Sequence, residues 1–298
     1  MPKTSSAERA ITVSLPFYGC RPLLRRAVES ILGQTHGDLT LIVLNDGEQP
    51  GPWDLLADIR DRRLVRFDLD ANRGRYFADA VALSATSDRY FMVQDADDWS
   101  SPHRAEVLFE VLRENHAGAA FSALARYVHD RPPKKHSHAE CLSQPPPQLV
   151  PIAYHFGLYE TQTLRAIGGY YGGFRIAYDT IIPAFLSLIS KLAYVDASLY
   201  HHDLRPGSLS TSPDTGMASE TRREVRARLD ALYEQAYRGF CEYVAGRCSI
   251  DSVRRLTASV ASTYVTKEDA RALAIQSDRL QAELANRVAS RRPRLNPI

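Results

Sequence analysis

Three aspartates fall within four residues, in the run Gln94-Asp95-Ala96-Asp97-Asp98-Trp99. Carboxylates this close repel one another and resist ionisation unless a cation sits among them. Hard oxygen donors on an open turn suit Mg2+ or Mn2+, with diphosphate oxygens completing the shell. The competing reading is a solvated acidic turn in which Asp98 caps the helix led by Pro102. A preceding apolar strand, a following aromatic residue and the proline-led helix favour the metal site. Other polar groups share this kind of setting. Asp46 lies in the turn Asn45-Asp46-Gly47, and Asn72-Arg73-Gly74 forms another turn. Asp179 is an isolated carboxylate that could also cap the helix over residues 181–188. His201 and His202 are possible metal ligands or equally a surface pair, and Arg205 suits an anion. His155, between Tyr154 and Phe156, reads as a packing or hydrogen-bonding residue.

These groups need elements to position them. Residues 11–15 form a β-branched apolar run ending at Pro16, as expected of a buried strand. Pro22 opens a helix with Leu24, Ala27, Val28, Ile31 and Leu32 at helical spacing, and Gly33 stops it. Residues 39–44, 64–67 and 90–93 read as further strands. Residues 76–85 and 102–114 read as helices, the second with Ala105, Leu108, Phe109 and Leu112 on one face. Strands alternating with helices imply βαβ units and a mainly parallel sheet. Ligands of such sheets bind beyond the carboxyl ends of the strands. Asp46, the 72–74 turn and the aspartate run each follow a predicted strand, so they should converge on one edge. Residues 131–148, rich in Pro, His and Lys, read as a long mobile loop. Order returns over residues 149–159. After Thr211 the periodicity is helical throughout. Val225, Leu229, Leu232, Tyr233, Ala236, Phe240, Tyr243 and Val244 mark one amphipathic helix. Val253, Leu256, Val260 and Tyr264 mark a second. A third, carrying Leu273, Leu280, Leu284 and Val288, opens on the capping box Thr266-Lys267-Glu268-Asp269. The expected organisation is a flexible N-terminus over 1–10, an α/β domain over 11–212 and an all-helical module over 213–298, with no internal repeat.

Five segments now combine. Ile-Thr-Val-Ser-Leu-Pro-Phe-Tyr at 11–18, Ala-Val-Glu-Ser-Ile-Leu-Gly-Gln-Thr at 27–35, Leu-Asn-Asp-Gly at 44–47, Asn-Arg-Gly at 72–74 and Asp-Ala-Asp-Asp at 95–98 resemble the family 2 glycosyltransferases in order and spacing. The resemblance covers residues 11–210 and leaves the helical tail outside. It implies a GT-A, Rossmann-like sheet flanked by helices. The implied reaction is inverting transfer of a sugar from a nucleotide-diphosphate sugar, UDP- or dTDP-linked by preference, to an acceptor hydroxyl. By position, Pro16, Phe17 and Tyr18 would line the nucleoside pocket, Asp46 would accept from the base, and Arg73 would reach the nucleotide. Asp95 and Asp97 would contact the donor. Asp97 and Asp98 would hold Mn2+ or Mg2+, with His201 or His202 as a third ligand. Inversion requires a general base, and Asp179 aligns with it. The segment from Tyr200 to Ser210 resembles the one that closes over the donor phosphates. Three departures stand out: Asn45 replaces an acidic residue, Gly19 follows Tyr18 where Asn is common, and Tyr178 replaces the Glu before the base.

Bulk properties agree with an enzyme of this kind. The 298 residues carry a net charge of +2, with 44% hydrophobic and 24% charged residues. That composition permits a packed core and gives no case for nucleic acid as a partner. The basic runs at 60–63, 131–138 and 287–294 read as solvated surface, with help in holding an anionic ligand as the lesser alternative for the middle run. Four cysteines form no Cys-x-x-Cys pair, so they read as reduced, mostly buried thiols of a cytoplasmic protein. No apolar run reaches the roughly 18 residues of a membrane span, and no apolar leader is visible. The expected partners are a nucleotide-sugar donor and a soluble acceptor, such as a small natural product, a peptide or an oligosaccharide. The tail could also make a homodimer. Two alternatives compete: a non-catalytic nucleotide-sugar-binding or scaffold protein, and a sugar nucleotidyltransferase. The latter would need a Gly-rich triphosphate loop, which is absent after Leu15.

Overall fold

The β-branched runs become strands because every second residue has its own core to enter. The computed structural model describes residues 6–128, 131–137 and 145–290. A short helix α1 (Ser6–Arg9) precedes β1 (Ile11–Phe17), within the segment expected to be flexible, whose residues 1–5 lie outside the described residues. The chain continues through α2 (Arg21–Leu32), β2 (Leu39–Asn45), β3 (Leu64–Asp68), α3 (Arg75–Ala85) and β4 (Tyr90–Val93). Strands β3, β2, β1 and β4 are parallel neighbours in that order. Leu41 and Val43 face the layer containing Leu24, Val28 and Phe109, while Ile42 and Leu44 face the layer containing Phe77 and Val81. This two-sided burial is why the strands read as continuous apolar runs.

The second half is mixed rather than parallel. It comprises β5 (Trp99–Ser100), α4 (Arg104–Glu114), β6 (Ala119–Val128), β7 (Arg131–His136), β8 (Leu158–Glu160), α5 (Thr161–Ala166), α6 (Ile181–Ile189) and β9 (Leu192–Asp203). The sheet runs β3-β2-β1-β4-β8-β6-β9-β5, with β7 on β6. Residues 131–136 are not loop but an antiparallel strand on the outer half of β6. β6 has ten residues and meets β8 only at Ala119 and Ala120, leaving its far half open to a partner. Pro132 and Pro133 are tolerated because β7 is an edge strand. Residues 138–144 of the expected loop lie outside the described residues.

The tail forms α7 (Glu220–Val244), α8 (Ile250–Ala261) and α9 (Lys267–Ser290). The Thr266 hydroxyl oxygen accepts from the Asp269 amide at 3.0 Å, as the capping box requires. Leu229, Leu232, Tyr233, Val253, Val260 and Leu280 enter the same core as Phe77 of α3 and Phe185 of α6. The apolar stripes are thus covered by the α/β layer. Tyr243 and Val244, expected on the stripe, are exposed at the far end of α7. No helix among the described residues is long and apolar enough to cross a membrane. Cys20 is buried, and burial, then the Asp97 charge, pushes its thiol up to about 12. Cys241 is exposed, against expectation, and Cys141 lies outside the described residues.

Candidate active site at the strand ends

The carboxyl ends of β1, β2 and β4 bring the predicted clusters together. The Asp46 amide donates to the Phe17 carbonyl at 2.9 Å. The Asp46 carboxylate accepts from the Arg73 and Gly74 amides, each at 2.8 Å, so it ties β2 to the 72–74 turn. Burial pushes the Asp46 carboxyl up, opposed by those two amides. Asn45 donates to Asp68 Oδ1 at 2.8 Å, and Trp53 Nε1 donates to Asp68 Oδ2 at 2.9 Å. A carboxylate therefore stands beside Asn45 although residue 45 itself is not acidic. Pro16 and Phe17 are buried, Phe17 fully so within the core, whereas Tyr18 is 59% exposed at the rim. The Arg73 guanidinium faces α9, with Asp269 at 3.6 Å and Glu268 at 3.9 Å.

The aspartate run is braced from below. Arg104, fully buried, donates to Gln94 Oε1 at 3.1 Å, Ser100 Oγ at 2.9 Å and the Val93 carbonyl at 3.0 Å. Its guanidinium lies 4.8 Å from the centre of the Tyr200 ring. The Tyr200 hydroxyl oxygen accepts from the Asp95 amide at 3.1 Å. Burial without a carboxylate partner brings Arg104 down to about 10. Each aspartate then meets its own basic side chain. Asp95 pairs with Arg75, which also reaches Asp79 at 3.3 Å. Asp97 pairs with Arg205 at 2.9 Å. Asp98, fully buried, accepts from the Asp203 amide at 2.8 Å and lies 3.0 Å from His202 Nδ1. It does not cap α4.

One oxygen from each of Asp95, Asp97 and Asp98 lies within 4.8 Å of the others. A divalent ion bound at about 2.1 Å holds opposite ligands roughly 4.2 Å apart, so this cluster fits one after small side-chain movements. Burial, followed by the Asp95 charge, pushes the Asp97 carboxyl up even beside Arg205, a repulsion that a cation relieves. The two histidines separate cleanly, since neighbours on a strand face opposite ways. His201 stacks on Trp99 and engages Ser101 Oγ at 2.9 Å and the Tyr127 hydroxyl at 3.1 Å. His202 alone faces the cluster.

Asp179 lies in the 3-10 turn before α6, and its carboxylate caps nothing. It accepts from the Tyr76 hydroxyl at 2.7 Å and lies 3.3 Å from His155 Nδ1. Burial alone would raise its carboxyl, but His155, Tyr76 and the Arg75 charge hold it well below the usual carboxylate range. Arg75 and Tyr76, adjacent at the start of α3, thus link the acidic cluster to Asp179. Sequence reading passed over Arg75, Tyr76 and Arg104. One signal was available: a cation in the first turn of a helix opposes the helix dipole, so Arg75 needs a local anion.

Residues 12–180 match the family described as Glycosyl transferase family 2. The chain belongs to this family. Among curated relatives, Glycosyltransferase GlyA of Streptococcus pneumoniae serotype 4 is 25% identical over 246 residues, 76% of this chain and 34% of the relative. The Escherichia coli UDP-Glc:alpha-D-GlcNAc-diphosphoundecaprenol beta-1,3-glucosyltransferase WfaP is 27% identical over 89 residues, 30% of this chain and 36% of the relative. The chain spans about a third of the length of these curated relatives (34% and 36%). Among solved structures, S. aureus TarS 1-349 in complex with UDP-GlcNAc superposes with a TM-score of 0.56 at 14% identity, covering 97% of this chain and 94% of that one. Mannosyltransferase PcManGT from Pyrobaculum calidifontis, in complex with GDP-Man and Mn2+, gives 0.54 at 15% identity, covering 94% and 79%. At these identities the structures speak for the fold, which is the expected GT-A arrangement.

Proposed function

We propose that this family member is an inverting glycosyltransferase that moves a sugar from a nucleotide-diphosphate sugar, UDP- or dTDP-linked by preference, to an acceptor hydroxyl. One observation carries the reading: Arg75 pairs with Asp95 while its neighbour Tyr76 holds Asp179. A donor-side cluster and an acceptor-side carboxylate are thereby fixed to one helix start. Bound Mn2+ or Mg2+ would neutralise charge building on the departing diphosphate. Asp97 is the ligand we assign first, with Asp95 beside it. Asp98, engaged by two groups of β9, keeps His202 at the cluster. Arg205 would meet donor phosphate oxygens once the ion draws Asp97 away. Tyr18 and Asp46 mark the nucleoside end. The acceptor oxygen attacks the anomeric carbon as the carbon–oxygen bond to the diphosphate breaks, and its proton passes to Asp179. Tyr76 and His155 hold the Asp179 carboxylate in one orientation for that proton.

The test is release of nucleoside diphosphate from UDP-, dTDP- and GDP-sugars, with Mn2+ or with a chelator. Turnover is expected with a uridine or thymidine donor only when metal is present. Asp97→Asn should abolish metal-dependent turnover. Asp179→Asn should lower kcat by about 10²-fold or more, leaving donor KM within roughly twofold. Chelator-insensitive turnover would end the metal assignment, and full activity in Asp179→Asn would end the base assignment. If no nucleotide sugar is bound or consumed, the reading as a whole fails.

A further inference from the structure

The β6–β7 hairpin carries cations that sugar transfer from a nucleotide sugar does not require. Register places Lys134 of β7 directly opposite Arg126 of β6, and Arg126 beside His202 of β9. Directly paired residues on neighbouring strands share one face of the sheet. Lys134, Arg126 and His202 therefore form a single row across three strands. Its inner end abuts the acidic cluster, because His202 lies 3.0 Å from Asp98. Arg126 also sits 5.9 Å from the centre of the Tyr154 ring. The next residue, His155, contacts Asp179. The row thus starts between the two carboxylate groups that sugar transfer uses, and runs outward to solvent at Lys134.

Like charges placed opposite one another on paired strands are unfavourable. Among the described residues, no carboxylate makes an ion pair with Arg126 or Lys134, and Arg126 Nε is buried without a hydrogen-bond partner. The opposite face of the same hairpin is different: Lys135 pairs with Asp196 at 2.6 Å. Cations on one face are neutralised internally, and those on the other are left to an external anion. A planar guanidinium beside an ammonium suits a phosphate group. The nucleoside end of the donor lies at β2, on the far side of β4 and β8 from this row.

We propose that Arg126 and Lys134 form a subsite for a phosphate group carried by the acceptor. The inference rests on the sugar-transfer reading for the word acceptor, but not for the presence of an anion site. Binding and kinetics therefore need separate measurements on the full chain. Binding is measured by calorimetry with glucose 6-phosphate, with glucose, and with vesicles of phosphatidylcholine containing or lacking phosphatidic acid. Glucose 6-phosphate is expected to bind and glucose is not. A response confined to phosphatidic acid vesicles would identify a lipid-borne phosphate as the source, with the same residues responsible. Arg126→Gln with Lys134→Gln should weaken phosphate binding by about tenfold or more. The opposite-face control Lys135→Gln should leave it unchanged. Donor KM in acceptor-free hydrolysis should stay within twofold in all variants. Equal binding by the double variant, or no preference for phosphorylated ligands, overturns the proposal. A rise in donor KM instead would assign the row to the donor diphosphate and overturn it equally. Phosphate binding lost in the double variant of a chain that turns over no nucleotide sugar would keep the site and remove the reaction.

Discussion

Asp179 is held by the Tyr76 hydroxyl and by His155, and this has a consequence for stability. Its carboxyl lies well below the ordinary value of 3.8, because His155, Tyr76 and Arg75 outweigh burial. A carboxyl with a depressed folded pKa binds its proton more weakly in the folded state than in the unfolded one. Stability therefore rises with pH across that window, and is lost as pH falls from about 3.8 downward. Asp179→Asn should be less stable than the native chain at pH 7, by about 1–3 kcal/mol for one charge-assisted bond. The gap should narrow below pH 4 in urea melts followed by fluorescence. A gap independent of pH would show that the loss is packing rather than charge. The same residues mark the limit of what could be read in advance. Asp95, Asp97 and Asp98 announce themselves by spacing, Asp46 by its turn, and Asp179 by its position in the family resemblance. Tyr76 and His155 do not, since a tyrosine in an apolar helix and a histidine between aromatics look like core. Tyr76 and Asp179 are 103 residues apart in the chain, and only the fold joins them.

The elements that carry these residues were legible where burial is two-sided. β1, β2 and β4 show largely apolar runs because each face enters a core. β7 was not legible, since Arg-Pro-Pro-Lys-Lys-His has neither apolar run nor alternation, and its pairing depends on how far β6 overhangs β8. Turn geometry is just as decisive. Gly47 has φ +79, and a Cβ there would lie 2.4 Å from the Asn72 amide nitrogen and 2.7 Å from the Ala71 carbonyl carbon. That backbone leads into the two amides that hold Asp46, so it cannot retreat without releasing the carboxylate. Gly47→Ala should cost roughly 2–4 kcal/mol, combining left-handed strain with overpacking, and should weaken nucleoside diphosphate binding. At Gly19, φ is +71 and an added Cβ would meet nothing within 4 Å. Gly19→Ala should therefore show only the strain, about 1 kcal/mol. Thermal melts of the two variants with and without UDP compare them directly. Equal melting temperatures would contradict the bracing role given to Gly47.

At the scale of the whole molecule, the helical module expected after residue 212 shares its core with the α/β layer. Tyr233 of α7 stacks on Phe185 of α6 with ring centres 6.3 Å apart, and its hydroxyl donates to the Pro146 carbonyl at 2.8 Å. Arg226 donates to the Leu149 carbonyl at 2.7 Å. Gly173 lies so near the tail that an added Cβ would fall 2.1 Å from the Tyr264 carbonyl oxygen. At the N-terminus of α9, Asp269 and Glu268 hold the Arg73 guanidinium beside the 72–74 turn. Six large side chains of the tail are buried in the shared core: Leu229, Leu232, Tyr233, Val253, Val260 and Leu280. At about 1.5–3 kcal/mol each, they represent as much free energy as the entire net stability of a domain, about 5–15 kcal/mol. A chain ending at residue 212 should thus fail to fold, although it contains the whole family match and every proposed catalytic residue. Expressed in parallel with the full chain, it should elute as aggregate or melt without a cooperative transition, and UDP with Mn2+ should not rescue it. A truncated chain that melts cooperatively and is stabilised by UDP would show that the α/β domain over 11–212 folds without the tail. The change of pattern at Thr211 would then mark a true boundary. With the tail's apolar faces already committed to this core, the aggregate is the expected outcome.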